Sequence, residues 1–185
     1  MRLAEVNGWT LLSDSSWPGY TALPYRVMEG YLQMAAEAVE QMGEAPTHVF
    51  LQAGVGGLAA AVAAYVRKAW GDGPRIVVVE PDAAPALIES IRAGALIATQ
   101  GPVSTMGRLD CKEPSLIALA GLARDADVFL TISDEAAAEA VELLGAQGIA
   151  TTPSGAAGVA GMLCGLPELD LTTASRVLTI VSEAA

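Results

Sequence analysis

Three glycines stand close together in Phe50-Leu51-Gln52-Ala53-Gly54-Val55-Gly56-Gly57-Leu58, after an apolar, β-rich run and before a small-residue helical stretch. A strand ends there, the glycines let the backbone turn tightly, and the unpaired N–H groups of the helix start face the gap. Such a loop holds a phosphate without any basic side chain. No Gly-Lys-Ser/Thr follows, so it is not a Walker A loop. A dinucleotide fingerprint needs a third glycine at 59, where Ala59 stands; its acid, about 20 residues on, is at best Glu80. The other reading is a tight βα turn with no ligand. A second start of this kind is Thr151-Thr152-Pro153-Ser154-Gly155-Ala156-Ala157-Gly158, where hydroxyls precede an apolar helix. Ser154 there faces a ligand or merely caps the helix. The third group is Leu12-Ser13-Asp14-Ser15-Ser16-Trp17-Pro18-Gly19-Tyr20, an acid in a hydroxyl-rich loop with two aromatics. Asx turns share that composition, so a plain turn stays open too.

The elements around these groups follow from apolar spacing. Short β-rich runs at 9–13, 47–53, 75–80, 127–132 and 176–181 read as strands. A helical period starts at Tyr25, with Met28, Tyr31, Leu32, Ala35, Val39 and Met42 on one face, and Gly43 stops it. Further helices read at 58–70, 84–93, 113–124, 133–147 and 155–164, with Ser133 as an N-cap. Residues 96–111 form a long Gly/Ser/Thr-rich stretch without a period, which in a compact chain is functional or disordered. Strands alternating with helices imply an α/β fold with a parallel-rich sheet flanked by helices. No repeat or linker divides the 185 residues, so 1–185 reads as one domain.

Composition narrows the partners. The chain is 52% hydrophobic and 17% charged, which provides for a core. Its net charge of −11 repels phosphate backbones, so no nucleic-acid partner is expected. No run approaches the roughly 20 apolar residues of a membrane span, and Glu5 interrupts the short apolar start, so no membrane and no leader are expected. Cys111 and Cys164 are too few for a disulfide framework or a cysteine zinc site, and His48 has no partner at metal spacing. No metal is therefore expected, and a cytoplasmic setting is. His48 reads as structural and Cys164 as core. Only Lys68 and Lys112 are lysines, and both read as surface residues.

The chain resembles the fold-type II pyridoxal-phosphate enzymes, and among them the diaminopropionate ammonia-lyases. Asp14-Ser15-Ser16-Trp17-Pro18-Gly19-Tyr20 matches, as does Met34-Ala35-Ala36-Glu37-Ala38-Val39-Glu40-Gln41-Met42. The most specific match is Pro46-Thr47-His48-Val49-Phe50-Leu51-Gln52-Ala53-Gly54-Val55-Gly56-Gly57. Val78-Val79-Glu80-Pro81-Asp82, Cys111-Lys112-Glu113-Pro114 and Ser154-Gly155-Ala156-Ala157-Gly158 follow in the family's order. The resemblance spans nearly the whole chain but only about the second half of a family member, the phosphate-binding part of the tryptophan synthase β-like fold.

It implies pyridoxal 5′-phosphate as cofactor, with Gly54, Val55, Gly56 and Gly57 around its phosphate. Ser154, with Thr152 as its neighbouring alternative, is implied against the pyridine nitrogen; a neutral hydroxyl there suits α,β-elimination. Asp14 takes the family's acid–base role, removing the α-proton. The implied reaction converts 2,3-diaminopropionate, a small amino-acid substrate, to pyruvate and ammonia in a cytoplasmic homodimer. Departures are equally definite. The Schiff-base lysine belongs to the family's first half, which is expected to be absent here, so the chain alone is expected to be inactive. The family's Thr-Glu-Gly reads Ser182-Glu183-Ala184. A serine/threonine dehydratase-like lyase, or a non-catalytic phosphate-binding fragment, are the alternatives.

Overall fold

The computed structural model describes residues 2–184; residues 1 and 185 lie outside the description. Its helices are α1 (Arg2–Asn7), α2 (Ala22–Met42), α3 (Gly57–Trp70), α4 (Ala86–Ala93), α5 (Leu116–Asp125), α6 (Asp134–Ala146) and α7 (Pro153–Leu163). The strands are β1 (His48–Gln52), β2 (Arg75–Pro81), β3 (Val128–Ile132) and β4 (Val177–Thr179). They pair in parallel throughout, in the order β3-β2-β1-β4. The expected α/β architecture is therefore present.

Alternation along the strands decides the two faces. Val49, Leu51, Ile76 and Val78 pack with Val62 and Val66 of α3 and Leu122 of α5. Phe50, Val77 and Val79 turn the other way, onto Ala137 and Ala140 of α6 and Ala156 and Ala160 of α7. Both faces are covered, which is why β1 and β2 read as unbroken apolar runs rather than alternating ones. The chain steps from β1 to β2 to β3 in one direction, while β4 lies on the opposite side of β1. In open α/β sheets such a reversal leaves a crevice beyond the carboxyl ends of the two strands.

Residues 9–13 differ from expectation: they are irregular, and α1 precedes them. A side chain takes the backbone groups that a neighbouring strand would need. Tyr20 Oη donates to the Leu11 carbonyl at 3.0 Å and accepts the Ser13 N–H at 2.9 Å. Trp17 stacks on the Tyr20 ring at 4.3 Å and fixes it in place. Helix α5 starts at Leu116, three residues later than expected, because Ser115 is extended at its N-cap. Ser133 caps α6 as expected, accepting the Ala136 N–H. Helix α7 takes Thr152 as its cap, with Pro153 at its first position.

The long stretch before α5 is irregular but anchored. Lys112 Nζ donates to the carbonyls of Ala83 and Pro102, both at 2.8 Å, and to the Asp110 carboxylate. Asp134 accepts from Ser104 Oγ at 2.6 Å and from the Thr105 N–H at 2.9 Å. Burial works against the charge on Asp134, but these bonds outweigh it and hold the carboxyl below its ordinary range.

Candidate active site

A cavity of about 380 Å³ opens at the β1/β4 crevice, lined by the glycine loop, Asp14, the 108–109 loop and the segment after β4. That volume suits a small-molecule ligand. Gly56 is the N-cap of α3 and sits at φ +96°, where a Cβ is strained, so the chain can turn from β1 into the helix there only with glycine. Gly54 permits a close approach instead: a Cβ on it would meet the Arg108 carbonyl at 2.8 Å and Cys111 Sγ at 3.0 Å. The loop thus packs against residues 108–111 and leaves the first turn of α3 open to the cavity. The first N–H groups of a helix have no helical acceptor and carry its positive end, so an anion is favoured there. Arg108 is the single basic side chain among the lining residues, so amides rather than cations dominate the anion end.

Asp14 is exposed and stands on the cavity wall. Its segment is fastened by Ser16, which is buried and bonded to Ser115. Cys111 lies on the same side of the loop. Burial pushes its thiol pKa up, the Asp14 charge adds to this, and the Val55 N–H draws it partly back.

Neither hydroxyl that the resemblance placed against the pyridine nitrogen lines the cavity. Ser154 is buried, and its Oγ accepts the Arg108 N–H at 3.1 Å. Thr152 Oγ1 accepts the Gly155 N–H and donates to Glu183 Oε2 at 2.5 Å. Each stands one residue behind the wall, Ser154 behind Arg108 and Thr152 behind Glu183. The aliphatic hydroxyl among the lining residues is Ser182, accepting from Gln52 Nε2 at 3.0 Å, with Glu183 beside it. Gln52 Nε2 also donates to the Ile180 carbonyl at 2.7 Å, fixing the tail after β4 against the end of β1. Arg108 Nε lies 3.5 Å from Glu183 Oε1 and joins the two sides of the crevice. Sequence reasoning missed Gln52, Arg108, Ser182 and Glu183 as site residues; the usable signal was the Ser-Glu-Ala in place of Thr-Glu-Gly.

Other residues fall away from the cavity. Glu80 is fully buried and accepts the Leu87 and Ile88 N–H groups at 2.7 and 2.8 Å, so it anchors the start of α4 and contacts no ribose site. His48 is structural, bonded to Thr47 Oγ1 and the Leu169 carbonyl. Lys68 is exposed beside the Tyr65 ring, and Lys112 is consumed by its loop. Cys164 is exposed at the end of α7 rather than in the core. Among the described residues no helix is long and apolar enough to cross a membrane.

The donor set fits pyridoxal phosphate: helix-start amides for a phosphate, with a neutral hydroxyl and a carboxylate among the other lining residues. Comparison with known proteins points the same way. A family model for pyridoxal-phosphate dependent enzymes matches residues 1–183. Diaminopropionate ammonia-lyase of Salmonella typhimurium is 37% identical over 172 residues, covering 87% of this chain and 43% of the relative. The Escherichia coli diaminopropionate ammonia-lyase, solved with an aminoacrylate-PLP azomethine intermediate, superposes with a TM-score of 0.90. Its sequence is 32% identical, and the match covers 100% of this chain and 51% of that one. The L-threonine dehydratase of Mycobacterium tuberculosis is 28% identical over 178 residues, covering 92% of this chain and 40% of the relative. The chain thus spans about half the length of the relatives it matches. It belongs to the pyridoxal-phosphate dependent enzymes of fold type II, whose cofactor is pyridoxal phosphate.

Proposed function

We propose that the chain forms the phosphate-binding part of an ammonia-lyase that eliminates ammonia from 2,3-diaminopropionate, working as a cytoplasmic homodimer. The observation that carries this reading is the convergence of the α3 start, Asp14 and Ser182 on one cavity at the β1/β4 crevice. When bound, pyridoxal phosphate would withdraw electrons from the substrate α-carbon and make its proton removable. The α3 amides would hold its phosphate, and residues 54–57 would let the backbone approach it. Ser182, whose oxygen accepts from Gln52, would offer its O–H as a hydrogen-bond donor to the pyridine nitrogen. Ser154 and Thr152 act one step behind, holding Arg108 and Glu183 in place. Asp14 accepts the α-proton at its carboxylate.

Two carboxylates, Asp14 and Glu183, line the cavity against one cation, Arg108. That balance favours a substrate with a second ammonium over the β-hydroxyl substrate of a dehydratase. The resemblance to L-threonine dehydratase supports the hydroxy-acid reading in turn, at the lower identity of 28%.

The test is an absorbance titration of the purified chain with pyridoxal phosphate, with and without diaminopropionate. Saturable, phosphate-competed binding with no substrate-dependent spectral change is expected of a phosphate-binding part. A stoichiometric visible-edge band discharged by diaminopropionate would show that the chain carries the whole reaction. No saturable binding at all would sink the cofactor-cradle reading.

A further inference from the structure

A helix normally caps itself, the N-cap side chain accepting an N–H of its own first turn. Helix α5 does not: Ser115 stands at its N-cap, yet its hydroxyl makes no cap bond. The cap comes from 101 residues earlier in the chain, where Ser16 Oγ accepts the Ile117 N–H at 2.9 Å. The Ser16 carbonyl accepts the Leu116 N–H at 3.0 Å. The Ser115 hydroxyl is turned instead onto Ser16, accepting its N–H at 3.1 Å and meeting its hydroxyl at 2.8 Å. The Ser115 N–H donates to the Val55 carbonyl, inside the glycine loop, at 2.9 Å. Ser16 and Ser115 are 2% and 0% exposed, so neither hydroxyl has water as an alternative partner.

Ser115 is itself a residue able to cap α5, so the exchange is not required for the helix to be capped. Its consequence is a hydrogen-bonded junction between three pieces: the irregular segment carrying Asp14, the start of α5, and the loop around the phosphate site. We propose that the Ser16–Ser115 hydroxyl pair is a positioning device that sets Asp14 and the glycine loop in register with each other. The proposal rests on the phosphate-binding reading above. Ser16 and Ser115 touch neither substrate nor cofactor; they act through Asp14 and Val55.

The test uses pyridoxine phosphate, whose alcohol forms no imine, and calorimetric affinity of the parent, Ser16→Ala, Ser115→Ala and the double variant. A parent that does not bind it defeats the cradle reading; a binding parent isolates the pair. Each single change is expected to weaken binding about tenfold, on the scale of one buried hydrogen bond. The double variant should lose no more than the worse single one, because one bond network is broken. The second readout is the pH profile of alkylation at Cys111, whose thiol senses the Asp14 charge and the Val55 N–H, with Cys164 as internal reference. The Cys111 profile should move to lower pH while that of Cys164 stays. Ser115→Ala keeps the backbone bond to Val55, so it preserves the test if Ser16→Ala does not fold. Folded variants with affinity within twofold of the parent overturn the proposal. So does a lowered Tm with an unchanged Cys111 profile, which marks a purely stabilising role.

Discussion

Asp14 and Cys111 report on each other without any turnover. The thiol is pushed up first by burial and then by the Asp14 charge, so at pH 8 little of it is thiolate. Asp14→Asn removes the second cause only. Alkylation of Cys111 at pH 8 should therefore accelerate, while that of Cys164 does not change; an unaltered Cys111 rate would separate Asp14 from the loop. Neighbouring glycines differ just as sharply. Gly56→Ala forces a Cβ into the left-handed region, where Leu87 Cδ1 stands 3.2 Å away and Leu122 Cδ1 3.3 Å away. It should lower stability by about 1–2 kcal/mol and weaken phosphate binding. Gly57→Ala meets only Met28 Cγ, at 3.6 Å, and lies inside a helix. Urea unfolding of the two variants should show a loss for the first and none for the second.

At the level of elements, Glu80 illustrates how one buried carboxyl serves a helix. Burial raises its pKa from 4.5 to about 7, against the pull of the Leu87 and Ile88 N–H groups. Below about 4.5 the group is protonated in both folded and unfolded chains, and its contribution to stability is fully present. Between about 4.5 and 7 the unfolded chain releases the proton while the folded one keeps it, so stability falls by about 3 kcal/mol across that window. Glu80→Gln cannot titrate and offers one acceptor to two N–H groups. Urea unfolding should place it about 1–3 kcal/mol below the parent at pH 5, with the two converging by pH 8. A parent and variant with parallel pH profiles would show that Glu80 does not titrate there. The elements themselves were readable because β1 and β2 are short unbroken apolar runs bounded by turn residues, and α2 keeps a helical period over several turns. Residues 9–13 misled because Tyr20 supplies their partners from outside the local window, and no period records a side chain reaching back across a turn. The start of α5 was misplaced for a related reason, its cap lying in another part of the chain.

For the molecule as a whole, the glycine loop was legible because strand, turn and helix start are contiguous. Ser182 and Glu183 were not, since they join the loop only once β4 is placed beside β1, and strand order is not written in any local pattern; Arg108 reaches the loop from an irregular stretch that has no period to place it. The same whole-molecule view brings out Leu3, Val6, Trp9 and Leu12, spaced three apart and 73%, 77%, 66% and 70% exposed. Single exposed apolar residues are ordinary, but four within ten residues concentrate exposed apolar surface on one segment. Association through it should be hydrophobic and should work against the charge, because each copy carries −11. Raising ionic strength from about 0.05 to about 0.5 M shortens the screening length severalfold and removes that repulsion. Sedimentation velocity should therefore show association that strengthens with protein concentration and with salt. Leu3→Glu with Val6→Glu, both on α1, should abolish it at every salt concentration while leaving phosphate binding unchanged. Association that weakens with salt would mean ionic contacts elsewhere on the surface, and a chain that stays monomeric at high concentration and high salt would exclude this segment as a self-association surface.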